Sequence, residues 1–231
     1  MKEVELTILF PCLNEENTVE SCIKDALEQM EYHDINGEVL VCDNGSTDRS
    51  VIISKETGAR VVHCREKGYG NALRHGIEES YGKYVIMADC DCSYHLEHLG
   101  HWMKELRDGA DMIIGNRYEI PAEKGAMKWL HRYFGVPLLS FLGRVRFQCD
   151  VVDFHCGLRA VNRNSFLKLN CRSKGMEFAT EMIGRASLMG QSIGQVAVKL
   201  YCDKRGKPSH LRSIRDGLRH LVVIITKATV K

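Results

Sequence analysis

Asp89-Cys90-Asp91 follows directly on the apolar run Tyr84-Val85-Ile86-Met87-Ala88. Two carboxylates one residue apart at the end of a buried strand are costly. Like charges repel, and both lose hydration unless a cation or hydrogen-bond donors offset it. A divalent metal with hard oxygen ligands supplies that offset, with a phosphate-bearing substrate completing its shell. D-x-D alone is weak evidence, because such triplets occur in many turns. Its weight depends on what the chain places at its other strand ends.

The first half repeats one pattern: a short apolar run, a polar loop, an amphipathic stretch. Leu6 to Phe10 reads as a strand ending at Pro11, followed by a helix with Val19, Ile23, Ala26, Leu27 and Met30 on its apolar face. Glu38 to Cys42 is a second strand, and Ser46 or Thr47 can cap the next helix. Ala59 to Cys64 is a third, followed by a Gly-rich turn and a helix from about Asn71 to Ser80. Tyr84 to Ala88 and Met112 to Gly115 complete the set. Alternating strands and helices predict an α/β, doubly wound, mostly parallel sheet, whose ligands bind outside the carboxyl ends of the strands. The residues punctuating those ends are Asn14, Glu15, Asp43, Asn44, Asp48, Asp89, Asp91 and Arg117. Their convergence outweighs any single motif. After Arg117 the pattern loosens into a basic, aromatic stretch and then Asp153-Phe154-His155-Cys156-Gly157-Leu158-Arg159.

The 231 residues suffice for one large α/β domain, and no linker or internal repeat divides them. We expect a single domain, with residues 1–116 as a nucleotide-sugar-binding half and 117–231 as an acceptor-side and C-terminal basic part. A net charge of +2 gives no reason to expect a nucleic-acid partner. Ten scattered cysteines fit no disulfide framework, which favours a reducing, cytoplasmic compartment. No apolar run approaches the roughly 20 residues of a membrane-spanning helix.

Together, Pro11…Asn14-Glu15-Glu16, Asp43 to Asp48 (DNGSTD), Lys67 to Ala72 (KGYGNA) and Asp89-Cys90-Asp91 resemble the family 2 glycosyltransferases. Gly115 to Tyr118 (GNRY), Asp153 to Ala160 (DFHCGLRA), Gly175 to Met182 and Arg205 to Leu221 narrow the likeness to the dolichyl-phosphate mannose and glucose synthases. The resemblance implies a GT-A fold, Rossmann-like, with a C-terminal acceptor-side elaboration. It also implies inverting, metal-dependent transfer of a hexose from UDP-glucose or GDP-mannose to a polyprenyl phosphate. By that resemblance Pro11, Asn14, Glu15 and Asp43 border the base and ribose, and Lys67 lies on a flexible loop near the donor. Asp89 lies near ribose and metal, and Asp91 coordinates Mg2+ or Mn2+. Arg117 and Arg132 are candidates for gripping the acceptor phosphate, because arginine offers a planar fork of donors and stays charged. Arg205, Lys207, Ser209 and His210 belong to a loop that closes over the diphosphate and excludes water.

An ionised phosphate acceptor needs little help from a base. An acceptor hydroxyl would need one, and Asp153 or Glu177 is then first in line, ahead of Glu181. His155 is placed equally well near the metal or diphosphate and as a satisfied structural histidine. Zinc at Cys90, Cys92, His95, His98 and His101 fits no common ligand spacing.

Basic residues interleaved with Trp129, Tyr133, Phe134, Leu138, Leu139 and Phe141 read either as a peripheral membrane-facing stretch or as a core helix beside a basic loop. Many relatives continue into transmembrane helices, whereas this sequence stops shortly after Ile225. A shortened chain, a peripheral enzyme and a subunit that borrows a membrane-anchoring partner all fit. A soluble glycosyltransferase acting on a saccharide, peptide or small-molecule hydroxyl is the rival enzyme. A nucleotidyltransferase would carry a Gly-rich, basic first loop, which Pro11 to Glu15 lacks. A non-catalytic nucleotide-sugar-binding subunit is the alternative from another class.

Overall fold

The computed structural model describes residues 3–206 and 212–226. Seven strands form one sheet in the order β3-β2-β1-β4-β6-β5-β7. They are β1 (Leu6–Cys12), β2 (Gly37–Asp43), β3 (Arg60–His63), β4 (Tyr84–Met87), β5 (Met112–Asn116), β6 (Arg159–Asn162) and β7 (Ile193–Ala197). All run in one direction except β6, which pairs antiparallel with both β4 and β5. The expected α/β, mostly parallel architecture is therefore observed.

The chain leaves β1 for β2 on one side and later returns to β4 on the other. A crevice opens at such a reversal, beyond the carboxyl ends of the strands. The loops after β1 and β4, residues 13–18 and 88–98, flank it. Because β6 runs backwards, the loop before it, residues 153–158, reaches the same edge.

Helices cover both faces: α1 (Val19–Tyr32), α2 (Ser50–Glu56), α3 (Tyr69–Glu79), α4 (Leu99–Arg107), α5 (Val136–Phe147), α6 (Arg163–Leu169), α7 (Phe178–Leu188) and α8 (Ser213–Thr226). In α1 the buried residues are Val19, Cys22, Ile23, Ala26 and Met30, a stripe at helical spacing, while Leu27 turns half outward. A π-helical turn, His131–Gly135, leads into α5.

Three local expectations are corrected. Pro11 does not end β1, which continues through Cys12 opposite Asp43. Beyond Leu9 only β2 flanks β1, because the β4 pairing stops at Met87. Proline's missing N–H therefore faces no partner strand. Ser46 and Thr47 do not cap α2, which begins at Ser50; Asp48 Oδ1 instead accepts from Ser50 N at 2.9 Å. Finally, β6 and β7 continue the sheet where the sequence pattern loosens.

Candidate active site

The loop after β1 and the turn after β2 are stitched together by Asn14, a non-glycine residue at φ 59°. Its Oδ1 accepts from Thr47 N at 2.7 Å, and its own N–H donates to Ser46 Oγ at 2.9 Å. Glu15 N donates to Ser50 Oγ at 2.7 Å. Asn14 thus builds the wall on which Glu15 and Asp43 stand. Pro11 is set back in β1 behind them.

Asp43 is buried and accepts from Ser46 N (2.9 Å) and Gly45 N (3.2 Å), with His63 Nδ1 at 3.1 Å. Burial opposes its ionisation, but Ser46, His63 and Gly45 outweigh that and lower its pKa. It is a fixed anion at the crevice wall. Lys67 folds onto the same turn, donating to Asn44 O at 2.7 Å. The next residue, Gly68, has φ 133°, and the Lys174 carbonyl occupies the space a β-carbon would need. That close approach ties the start of α3 to the 173–178 loop.

Asp89 and Asp91 stand at the carboxyl end of β4. Asp89 Oδ1 accepts from Tyr69 OH at 2.9 Å, and its Oδ2 lies directly against Gly157. A side chain at Gly157 would collide with that carboxylate, so the DFHCGLR motif backs the D-x-D. Burial, then repulsion from Asp91, push the Asp89 carboxyl up to about 6. Asp91 Oδ1 accepts from Ser93 N at 2.9 Å. Its Oδ2 receives the Arg205 guanidinium in a very short contact.

Arg205 is itself 9% exposed and also faces Glu15 and Asp203, each at 3.6 Å. Three acids thus converge on one cation, and Lys204 N donates to Asp91 O at 2.9 Å to hold the strap down. The protein places a positive group where a divalent ion would neutralise the pair. Two carboxylates plus substrate phosphate oxygens make a suitable shell for Mg2+ or Mn2+. No third His, Cys, Asp or Glu joins them in a metal-binding group among the described residues. The same holds for the zinc candidates: His95 and His98 precede α4 rather than lying along it.

The acceptor-side candidates divide. Arg117 is buried and grips Asp153 through two bonds, Nε to Oδ2 at 2.6 Å and one terminal nitrogen to Oδ1 at 2.8 Å. Asp153 is 0% exposed and also accepts from His155 N at 3.1 Å. Its oxygens are committed to holding Arg117 and the 153–158 loop. Arg132 lies in the π-helical turn, half exposed and with no acidic partner among the described residues. The wide turn frees its carbonyl, which accepts from Tyr118 OH at 3.1 Å.

Glu177 precedes α7 and accepts from Gly175 N at 3.2 Å; its Oε2 is buried with no hydrogen-bond partner among the described residues. Glu181 is buried and accepts from Arg172 N (3.0 Å) and Ser173 N (2.6 Å), a structural role. His155 has both ring nitrogens buried with no hydrogen-bond partner among the described residues, and packs edge-on against His220 at 4.4 Å. Burial first, then His220, Arg117 and Arg159, drive its pKa well below the usual range. Lys207, Ser209 and His210 lie outside the described residues.

Several contributors carry no sequence signal of their own. Tyr69 was visible only as the residue between two glycines. Arg159 is buried yet satisfied by the carbonyls of Cys156, Ala179 and Phe154 at 2.7–2.8 Å. His220 on α8 shares a 2.7 Å hydrogen bond with Thr180 Oγ1. Only three-dimensional proximity reveals these partnerships.

Beside Arg132, α5 packs against α8, and both keep apolar stripes in solvent. Leu138, Phe141 and Val145 are exposed on α5; Ile214, Leu218 and Val222 are exposed on α8. Leu139 and Leu142 meanwhile pack against the core, as expected of a core helix, while the opposite face of α5 stays apolar and exposed. No helix among the described residues is long and apolar enough to cross a membrane.

Residues 7–169 match the family model described as Glycosyl transferase family 2. A low-salt glycan biosynthesis hexosyltransferase, Agl6, from Haloferax volcanii is 38% identical over 227 residues, covering 96% of this chain. The chain spans only 54% of that relative's length. A dolichyl-phosphate hexose transferase of the same organism is 28% identical over 206 residues, covering 88% of this chain and 85% of its own. Among solved structures, glucosyl-3-phosphoglycerate synthase from Mycobacterium tuberculosis, in complex with Mn2+, UDP-glucose and phosphoglyceric acid, superimposes with a TM-score of 0.73. It is 21% identical, covering 97% of this chain and 79% of its own, and supports the GT-A fold.

Proposed function

The chain belongs to glycosyl transferase family 2, and from that premise we propose that it transfers a hexose from a nucleotide sugar to a polyprenyl phosphate with inversion. The donor's nucleoside lies against Asp43 and the Asn14–Glu15 wall, and its diphosphate lies over Asp89 and Asp91. Those two carboxylates hold Mg2+ or Mn2+, which when bound neutralises charge on the departing nucleoside diphosphate. Arg205, on leaving Asp91, turns to that diphosphate and excludes water behind it.

The observation that carries the acceptor assignment is Arg132: a guanidinium with no acidic partner among the described residues, beside two helices with exposed apolar stripes. Such a site offers charge to a phosphate and apolar surface to its lipid. Two of the three candidate bases support the same reading, since Asp153 is consumed by Arg117 and Glu181 by backbone donors; Glu177, with only Oε1 engaged by Gly175 N, is the residue a hydroxyl acceptor would use. An ionised phosphate oxygen attacks the anomeric carbon as the sugar–diphosphate bond breaks, so catalysis rests on positioning and leaving-group stabilisation. We further propose a peripheral location at the cytoplasmic face of the membrane, with α5 and α8 on the lipid side.

The test is a radiolabel-transfer screen of UDP- and GDP-sugars with polyprenyl phosphate and Mg2+ or Mn2+. Label entering the organic phase is expected. Turnover only onto water-soluble hydroxyl acceptors would overturn the lipid-phosphate assignment.

A further inference from the structure

Four buried thiols border the D-x-D loop: Cys12 on β1, Cys22 on α1, and Cys90 and Cys92 in the loop itself. Cys22 and Cys92 bring their sulfur atoms to 3.7 Å. The backbone around them is held on both sides. Thr18 Oγ1, at the start of α1, donates to Cys90 O at 2.7 Å, while Cys92 Sγ lies 3.8 Å from Thr18 O. On the far side Tyr201 N donates to Ser93 O at 3.0 Å. Cys92 has φ 63°, a left-handed conformation rare for a residue with a β-carbon, which these contacts enforce. No three of these side chains converge as metal ligands among the described residues, so the thiols are not arranged as a soft-metal cage.

We propose that Cys22 and Cys92 form a reversible disulfide on exposure to peroxide, and that closing it lowers the affinity of the adjoining carboxylates for a divalent cation. One thiol gives up its proton and its sulfur attacks a peroxide oxygen; the O–O bond breaks and the leaving hydroxide takes that proton as water, giving a sulfenic acid. The second thiol's sulfur attacks that sulfur, the S–O bond breaks, and a second water leaves as the disulfide forms. Two thiols are oxidised and one hydrogen peroxide is reduced to two waters.

A disulfide is about 2.05 Å long, so the sulfurs must close by roughly 1.7 Å. Cys92 is bonded directly to Asp91, whose Oδ1 is fixed by Ser93 N. A pull of that size on the loop moves a carboxylate that must meet a small cation to within a few tenths of an ångström. The metal consequence rests on the reading of Asp91 as a ligand; disulfide formation does not.

The experiment treats the reduced full chain with hydrogen peroxide, alkylates the remaining thiols and maps cross-linked peptides by mass spectrometry. Mn2+ binding is measured in parallel, with UDP present, from the free-ion electron paramagnetic resonance signal. We expect a Cys22–Cys92 peptide, loss of Mn2+ affinity of about tenfold, as when a ligand's supporting contacts are disturbed, and recovery with dithiothreitol. Cys22→Ser, and Cys22→Ala should the serine variant fold poorly, keep their affinity through the same treatment. Absence of the peptide, pairing through Cys12 or Cys90 instead, or an oxidised chain with unchanged affinity would overturn the proposal. Reduced Asp91→Asn separates the two readings: undiminished Mn2+ affinity there refutes the ligand assignment while leaving the cross-link intact.

Discussion

Arg205 and Asp91 share a contact that the divalent cation proposed for this site would have to break. The guanidinium lies on the same carboxylate that is assigned to the metal, within reach of Glu15 and Asp203. Arg205 thus supplies a counter-charge to these acids, and on the proposed reading metal loading is an exchange of cations rather than an addition. Arg205→Gln is expected to bind Mn2+ severalfold more tightly without nucleotide, while its transfer rate falls. Calorimetric titration with and without UDP checks the first point. Unchanged metal affinity would show that the pair does not compete with the ion.

Asp91→Asn keeps one acceptor oxygen for Ser93 N, turns an NH2 donor toward Arg205 and removes the charge. Transfer is expected to fall by about 10²–10³-fold, the scale on which a single electrostatic stabiliser acts. Circular dichroism should be unchanged. Full activity would remove Asp91 from the metal site.

Asp153→Ala tests the opposite kind of carboxylate. It strands the buried Arg117 guanidinium, and breaking a buried pair from one side costs about 3–5 kcal/mol. Urea denaturation should register that loss, so a dead Asp153→Ala enzyme is no evidence for a general base. If stability holds and only turnover with hydroxyl acceptors is lost, Asp153 is a base after all.

Arg132→Ala is expected to raise KM for polyprenyl phosphate about tenfold or more, the loss of one charge-assisted contact of about 1.5–3 kcal/mol. KM for the nucleotide sugar should move little. Equal effects on both would place Arg132 on the donor side.

Acid should destabilise the protein through its paired histidines. Burial, then Arg159, hold His220 down to about 4, against an unfolded value near 6.5. Between those values the unfolded chain binds a proton that the native one refuses, so stability falls as pH drops through the window. The loss is on the order of 3 kcal/mol from His220, and His155 acts in the same direction. Denaturant titrations at pH 7.5, 5.5 and 4.5 should show the decline, and His220→Asn should flatten it.

The strands that carry the donor side were legible because they are apolar runs ended by acids. The periodicity of α1 and the carboxylates after β2 and β4 could be read directly. β6 and β7 were not, for physical reasons. Arg-Ala-Val-Asn and Ile-Gly-Gln-Val-Ala are short and mixed, and Arg159 is buried only because three carbonyls satisfy it. Capping also misled, since Ser46 and Thr47 spend their polar atoms on Asn14 in the adjoining loop after β1. The committed state of Arg117 could not be read from residue type, because nothing local pairs it with Asp153, 36 positions away.

The exposed stripes of α5 and α8 also bear on how collisions are counted. A catalyst resting on a bilayer meets a lipid-linked reactant by lateral diffusion in a plane, where orientation is restricted before contact. Its velocity then tracks the mole fraction of that lipid in the leaflet rather than its amount per volume. Diluting the reactant with inert phospholipid at constant bulk concentration should slow the enzyme. Adding more vesicles of unchanged composition, once all protein is bound, should not.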